Sequence, residues 1–148
     1  MHRNVRLSAV ILFLLVAALC LYGCAGEQKE AQLEVVDSEF SIRHESGHDY
    51  VVDAEGVIRN TGQADVRDIE VTGYCRTCDE RIIDGQWFVS DYEKMEHQKD
   101  VIGYLPAGGQ EAFEFKEVAF YSVDKSKKEP DALPEDLEIS IESYEVGK

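Results

Sequence analysis

Residues 51–75 have the sequence VVDAEGVIRNTGQADVRDIEVTGYC, and this stretch decides the fold class. Apolar side chains recur at every second position on both sides of an Asn-Thr-Gly turn at residues 60–62. Alternate side chains of a β-strand point to the same face, so the pattern predicts two consecutive strands joined by a turn. The positions that share one face are Tyr50, Val52, Ala54 and Ile58 in the first strand, and Ile69, Val71 and Gly73 in the second.

The same alternation predicts further strands on both sides of this stretch. Leu33, Val35, Phe40 and Ile42 indicate one strand that allows a bulge near Val36. Residues 44–48, HESGH, are typical of a polar turn after it. The later predicted elements are strands at Val101–Leu105 and Ala112–Val123, a Pro-Ala-Gly-Gly turn at residues 106–109, an exposed loop at residues 124–136, and a last strand through Leu137, Ile139, Ile141, Tyr144 and Val146.

A hairpin is predicted around Asp84-Gly85. Ile82 and Ile83 precede this pair, and Trp87 and Val89 follow it. Asp-Gly between apolar runs favours a type I′ turn, in which both central residues have positive φ. With about seven short strands and no sustained helical spacing, the chain is predicted to be an all-β, two-sheet sandwich.

Parts of this pattern resemble a known domain family. The run at residues 51–75 and the later LPAGGQEAFEF at residues 105–115 are similar to the FxLYD domain of exported bacterial and archaeal proteins. The shared features are a strand ending in Asn-Thr-Gly, a Leu-x-Pro-Gly type of turn and an aromatic strand after it. The motif that names the family falls on residues 71–75, where Tyr74 matches. The resemblance implies an immunoglobulin-like β-sandwich, and it implies no catalytic residues.

The N-terminus is typical of an export signal. Arg3 and Arg6 precede an uncharged apolar run at residues 7–21, LSAVILFLLVAALCL. A helix of this length would span roughly 22 Å, which is less than the ~30 Å hydrocarbon core of a bilayer. A cleaved secretory signal is therefore favoured over a permanent transmembrane helix.

The four residues Leu21-Tyr22-Gly23-Cys24 resemble the lipobox of prokaryotic lipoproteins. In that family the cysteine receives a diacylglyceryl group and the chain is cut just before it. The resemblance implies a lipoprotein signal peptide at residues 1–23, lipidation of Cys24, a short tether at residues 24–31 and the sandwich domain at residues 32–148. Ordinary secretion after cleavage near Ala25 and an uncleaved anchor are the alternatives.

Composition and charge narrow the class of partner. The chain has 148 residues, 44% of them hydrophobic, and a formal charge of −15. A phosphate backbone would repel such a chain, so no nucleic-acid partner is expected. Removal of residues 1–23 takes away two arginines and no acid, which leaves 125 residues at −17. Anionic lipid would also repel this domain, so its predicted attachment to the membrane depends on the acyl group.

Cys75 and Cys78 form a C-x-x-C pair. Outside the cytoplasm, two neighbouring thiols are expected to be oxidised, so a local disulfide is the first interpretation. An extended chain would separate their Cα atoms by about 10 Å, whereas a disulfide needs less than ~7 Å. Arg76-Thr77 must therefore form a turn or bulge if the pair is bonded. Thiol exchange and metal binding are the alternatives, the latter with His44, His48 or His97 as further ligands.

The sequence predicts binding rather than catalysis. It has no Gly-rich phosphate loop and no G-x-S-x-G motif, and no metal or other cofactor is expected. Trp87, Tyr92 and Tyr50 belong either to a recognition surface or to the core. The predicted function is a membrane-anchored, extracytoplasmic interaction or structural module with an unidentified protein or envelope partner. The alternative is a thiol-redox or metal-handling lipoprotein that uses Cys75 and Cys78.

Overall fold

The computed structural model describes residues 29–47, 49–90, 93–124 and 128–147. Within these residues the chain forms seven strands and one turn of 3-10 helix. They are β1 Leu33–His44, β2 Asp49–Asn60, β3 Val66–Cys75, β4 Trp87–Phe88, the 3-10 turn Glu96–Gln98, β5 Lys99–Leu105, β6 Gln110–Ser122 and β7 Leu137–Val146.

The strands form two antiparallel sheets that pack face to face. The first sheet has the order β1-β2-β6-β4 and the second has the order β5-β3-β7. The predicted all-β, two-sheet sandwich of about seven strands is confirmed. In the first sheet the sixth strand lies between β2 and β4, whereas the A-B-E-D sheet of immunoglobulin sandwiches has the fifth strand at that position. In the second sheet the central strand is β3, with β5 on one side and β7 on the other.

The core lies between the sheets and is formed by the alternate positions that the sequence indicated. Val52, Ile58, Ile69 and Val71 have no exposed surface, and Phe115 is 2% exposed. Most strands bury alternate side chains between the sheets, which is the pattern expected for sheets solvated on the outside. The buried cluster consists of Val52, Ala54, Ile58, Val66, Ile69, Val71, Cys75, Ile102, Leu105, Phe113, Phe115, Val118 and Ala119.

Two details of the first sheet follow from its register. The pairing of β1 with β2 shifts between Val35 and Asp37, which places the predicted bulge at Val36. A larger irregularity separates the Val52–Ala119 pair from the Ala54–Phe115 pair in β2 and β6. The chain of β6 therefore has extra residues opposite Asp53, and it accommodates them as a bulge.

The hairpin predicted around Asp84-Gly85 is wrong. Gly85 has a φ of 79°, but Asp84 is not among the residues with positive φ, and residues 82 and 83 are not in a strand. The Asp84 carboxylate accepts a hydrogen bond from the Asp124 N–H at 2.9 Å, and the Gly85 N–H donates to the Ser122 carbonyl at 2.9 Å. These contacts hold the turn against the end of β6, and β4 pairs with β6 instead of a preceding strand.

The sandwich has two different ends. At the N-terminal end, where β1 begins, the N–H groups of Thr61 and Gln63 donate to the carbonyls of Gln32 and Glu30 at 2.7 and 2.8 Å. At the opposite end β2 begins and β3 ends at Cys75, and we call this the disulfide end. Since β2 has 12 residues, the two ends are roughly 40 Å apart.

Candidate interaction surface at the disulfide end

The cysteine pair occupies the end of β3. Cys75 and Cys78 lie at disulfide distance, with their Cα atoms 5.5 Å apart. Residues 76 and 77 form a bend, which confirms that the chain turns between the two cysteines. Cys75 is only 8% exposed and belongs to the buried cluster, and Cys78 packs against it. A pair placed in this way is suited to fixing the local bend.

The bend is tied to the loop that precedes β7. The Thr77 hydroxyl donates to the Glu135 carbonyl at 2.6 Å, and the Arg76 N–H donates to the Asp136 carbonyl at 3.0 Å. The Arg76 side chain also pairs with Glu138, and this contact raises the pKa of Arg76. The cysteine pair, the bend and the start of β7 therefore form one connected structure.

Aromatic rings form a row across all four strands of the first sheet. His44, Tyr50, Tyr121 and Trp87 occupy neighbouring register positions on β1, β2, β6 and β4. Successive ring centroids in this row are 5.0, 6.5 and 5.1 Å apart, within the usual range for interacting aromatic pairs.

The aromatic row is covered by the loop before β7. The Trp87 indole N–H donates to the Ala132 carbonyl at 3.2 Å. Tyr50 is 8% exposed, and burial together with a hydrogen bond to Glu129 raises its pKa. Of the three aromatic residues considered from sequence, Tyr50 therefore belongs to the interior and Trp87 is half-buried, while Tyr92 lies outside the described residues.

Asp79 organises the loop between the cysteine pair and β4. Its carboxylate accepts hydrogen bonds from the backbone N–H and the guanidinium of Arg81 at 2.8 to 3.0 Å. These bonds lower the pKa of Asp79 to about 2. The Val89 N–H donates to the Asp79 carbonyl at 2.9 Å, so the same residue holds the two ends of the loop together.

The histidines take part in contacts of their own. The His44 ring lies against Tyr50, and its Nε2 is 3.1 Å from the Gly47 carbonyl. His97 Nε2 lies 2.7 Å from a carboxylate oxygen of Glu117, and His48 is outside the described residues. In the part of the chain that the structure describes, no three His, Cys, Asp or Glu side chains are grouped so that they could hold a metal.

A second apolar row lies on the outer face of the first sheet. Val51, Phe120 and Phe88 are neighbours in register, one position beyond the aromatic row in each strand. Because side chains alternate along a strand, these three point to the face opposite to that of Trp87. Trp87 packs against the buried cluster, whereas Phe88 and Phe120 are not among the residues that do so. The rings of Phe88 and Phe120 stack with their centroids 5.7 Å apart.

Sequence reasoning did not find this outer row, although a signal was present. Three of the four strands, β2, β6 and β4, carry two adjacent apolar residues at this level, namely Tyr50-Val51, Phe120-Tyr121 and Trp87-Phe88. In a strand with one buried face, such a doublet leaves one of its two side chains on the outside. Three doublets in register therefore predict an apolar patch on the outer face.

The bulge in β6 lies beside this patch. Glu117 has a φ of 60°, the left-handed region that non-glycine residues rarely adopt. Its N–H donates to the Asp53 carboxylate at 3.1 Å, and its carbonyl accepts from the Gln98 side chain at 2.9 Å. Asp53 also holds Arg43, and that hydrogen bond raises the pKa of the Arg43 guanidinium. These contacts hold the backbone of Glu117 in the bulge, and the contact with His97 holds its carboxylate.

Carboxylates continue along the same face towards the N-terminal end. Glu39, Glu55 and Glu114 are direct neighbours across β1, β2 and β6, and all three are exposed. The outer face of the first sheet is therefore acidic, with an apolar patch at its disulfide end. Like charges that face each other across strands are destabilising, so these glutamates reduce the stability of the sheet.

The predicted lipidation site lies outside the part of the chain that the structure describes. Cys24 precedes the first described residue, Lys29, by five positions. Among the described residues, no helix has the length and hydropathy needed to cross a bilayer. The lipobox and the signal peptide at residues 1–23 stay predictions.

Comparison with family models, with curated proteins and with solved structures gives no match for this chain. The similarity to the FxLYD domain therefore also stays a prediction.

Proposed function

We propose that this protein is an extracytoplasmic lipoprotein that displays a β-sandwich on the membrane as an interaction module, without catalysis. Cys24 would carry the anchor, residues 24–31 would form the tether, and the sandwich would present a binding surface away from the lipid. The basic and apolar N-terminus and the lipobox-like Leu21-Tyr22-Gly23-Cys24 support export and anchoring.

The observation that carries the proposal is the opposite placement of the two ends. Residues 29–32 are bonded to the turn at residues 61–64, so the chain leaves the sandwich at its N-terminal end. Five residues reach at most about 18 Å, which would keep that end close to an anchored Cys24. The disulfide end and the apolar patch, roughly 40 Å away, would then face outward, where a partner can reach them.

Two further observations support a location outside the cytoplasm. Cys75 and Cys78 lie at disulfide distance, and disulfides persist mainly in oxidising compartments. The mature charge of −17 would keep the domain away from anionic headgroups, so that its acidic face stays available to a partner.

Cell fractionation of Cys24 variants tests this proposal. The full chain is expressed in a bacterial host, and its N-terminus is examined by mass spectrometry. We expect wild type to carry a diacylglyceryl group on Cys24 and to sediment with membranes. Cys24→Ser should lose the modification, and Cys20→Ser serves as the matched control because it removes the neighbouring thiol from the signal. If Cys24→Ser keeps an acylated N-terminus, or if Cys20→Ser alone loses it, the lipidation site is wrong.

A further inference from the structure

The outer apolar row forms the floor of a groove at the disulfide end. The groove has a volume of about 320 Å³, and its apolar lining includes the exposed Ile82 and the half-buried Phe88 and Phe120. Val51 lies beneath them and is only 3% exposed, and Tyr50 and Tyr121 also border the groove. Ile82 is 75% exposed, more than any other large apolar side chain among the described residues. Single exposed apolar residues are ordinary, but Ile82 lines the same groove as a stacked pair of rings, and such a grouping of apolar side chains marks an interaction site.

The polar rim of this groove is acidic. Glu45, Asp49 and Glu117 contribute carboxylates, and none of the described residues that line the groove is a lysine or an arginine. Immediately beside the rim, Arg43 pairs with Glu45 and Asp53, and His97 pairs with Glu117. Four carboxylates thus face one guanidinium and one imidazole, so the groove has a negative balance even with these contacts made.

The shape and the charge favour one kind of occupant. A volume of about 320 Å³ is at the small end for ligand pockets, and it suits one large side chain better than the face of a helix. Stacked Phe rings bind apolar groups and also attract cations through their faces. The acidic rim and the charge of −17 that remains after removal of residues 1–23 would attract a basic chain and repel an acidic one.

We infer that this groove binds a basic segment of a partner protein. A large apolar side chain of that segment would lie on Phe88 and Phe120, against Ile82, and lysines or arginines on either side of it would contact Glu45, Asp49 and Glu117. The inference rests on the proposed function and adds to it the location of the binding surface and the chemical class of the partner.

Binding of designed peptides to the purified full chain tests this inference. The probe is a synthetic peptide with a central tryptophan and lysines on both sides, labelled for fluorescence anisotropy. Matched peptides replace the tryptophan by alanine or the lysines by glutamates. We expect saturable binding of the first peptide only, weakened by salt because exposed charges are screened. Amide NMR shifts of the protein should be confined to residues around Val51, Ile82, Phe88 and Phe120.

Protein variants distinguish binding of the peptide in the groove from its general attraction to an acidic protein. Ile82→Ser removes an exposed wall and should weaken binding about tenfold, since roughly 1.4 kcal/mol of apolar contact is lost. Val101→Ser is the control, because Val101 is also exposed, at 53%, but lies on β5. Glu45→Gln and Asp49→Asn should each weaken binding and reduce its salt dependence.

Three results would overturn the inference. The glutamate peptide could bind as tightly as the lysine peptide, or the Ile82→Ser protein could bind the lysine peptide with the affinity of wild type. The third result is that tetramethylammonium alone shifts the same amide resonances as the lysine peptide, which would indicate a small cation site. The fractionation of Cys24 variants is an independent readout. If the lysine peptide does not bind but Cys24 is lipidated, only the proposed groove is rejected. If Cys24 is not lipidated but the lysine peptide binds as expected, only the proposed anchor is rejected.

Discussion

The side-chain amide of Asn60 donates to the carbonyl oxygen of Ala64 at 2.7 Å, across the turn that joins the two sheets. The same nitrogen lies 3.4 Å from the Leu105 carbonyl, and the Asn60 side-chain oxygen accepts from the Gly62 N–H at 3.0 Å. Asn60 has no exposed surface. One buried amide thus connects β2, the turn and β5, which gives the Asn-Thr-Gly sequence a structural role.

Replacing this amide should destabilise the whole domain. Asn60→Ala leaves the bonded groups without partners and should lower the free energy of unfolding by about 2–4 kcal/mol. Asn60→Asp keeps an acceptor but loses the donor and buries a charge, so it should cost at least as much. Urea unfolding at pH 7 measures both, and an unchanged midpoint for Asn60→Ala would show that the network does not stabilise the fold.

Gly62 is required by the close approach of the N-terminal segment. A Cβ atom at this position would lie 2.4 Å from the Gln32 nitrogen and 2.5 Å from the Glu30 oxygen, both of which are backbone atoms. Gly62→Ala should therefore displace residues 30–32 and lower stability by about 1–3 kcal/mol.

Gly103 provides the matched control for that substitution. A Cβ atom at Gly103 would meet nothing within 4 Å, so Gly103→Ala should change stability by no more than about 0.5 kcal/mol. Limited proteolysis should cut residues 29–33 faster in Gly62→Ala than in Gly103→Ala. Equal rates would contradict the contact between this segment and the turn.

The alternation of apolar residues was sufficient to predict β2, β3 and β7, because each of these strands buries one face against the opposite sheet. It failed where contacts distant in sequence determine the conformation. Asp84-Gly85 has the composition of a hairpin turn, yet its partners are Ser122 and Asp124 at the end of β6. The residues around Asp84-Gly85 do not indicate their contacts with Ser122 and Asp124, so the local sequence could not predict that Ile82 is exposed.

The candidate surface was predictable to a smaller extent. The spacing of Cys75 and Cys78 predicted a bend on the condition that the two are bonded, because the distance between the Cα atoms of bonded cysteines is limited. The groove required the register of β4 against β6, since only that pairing brings Phe88 next to Phe120. The bulge at Glu117 is also determined by partners elsewhere in the chain, namely Asp53 and Gln98.

The Asp79 contact should make the loop before β4 sensitive to acid. The folded-state pKa of about 2 lies below the usual value of ~3.9 for an unfolded aspartate. The ionised contact therefore stabilises the native loop fully above about pH 4, and this stabilisation is lost as the pH falls through 2. Asp79→Asn should lower stability at neutral pH and match wild type near pH 2.

Side-chain NMR and urea unfolding across this pH range check that expectation. Glu80→Gln is the control because it removes the adjacent carboxylate, and its pH profile should follow that of wild type. An Asp79 carboxyl that titrates near 4 would mean that the contact with Arg81 is not maintained in solution.

The cysteine pair should stabilise the fold only modestly. A loop this short gains about 2 kcal/mol or less from the loss of unfolded-state entropy. Cys75→Ala with Cys78→Ala should therefore stay folded, with a lower urea midpoint. Mass spectrometry of native protein should show the loss of two hydrogens and no bound zinc or copper. A pair that exchanges freely with glutathione, or a stoichiometric metal, would favour the redox or metal-handling alternative.

The row of three glutamates on the outer face should be a site where removing a charge increases stability. Glu55 lies between Glu39 and Glu114, so Glu55→Gln removes two like-charge contacts and should raise the free energy of unfolding by about 0.2–1 kcal/mol.

Glu145→Gln is the control, because Glu145 is opposite Arg67 and its loss removes an opposite-charge neighbour. Both proteins lose one negative charge, so the difference between them reports the local arrangement. The difference should shrink as salt is added, because exposed charges are screened over about 10 Å at 0.1 M. Equal urea midpoints for the two variants at low salt would mean that the Glu55 effect comes only from total charge.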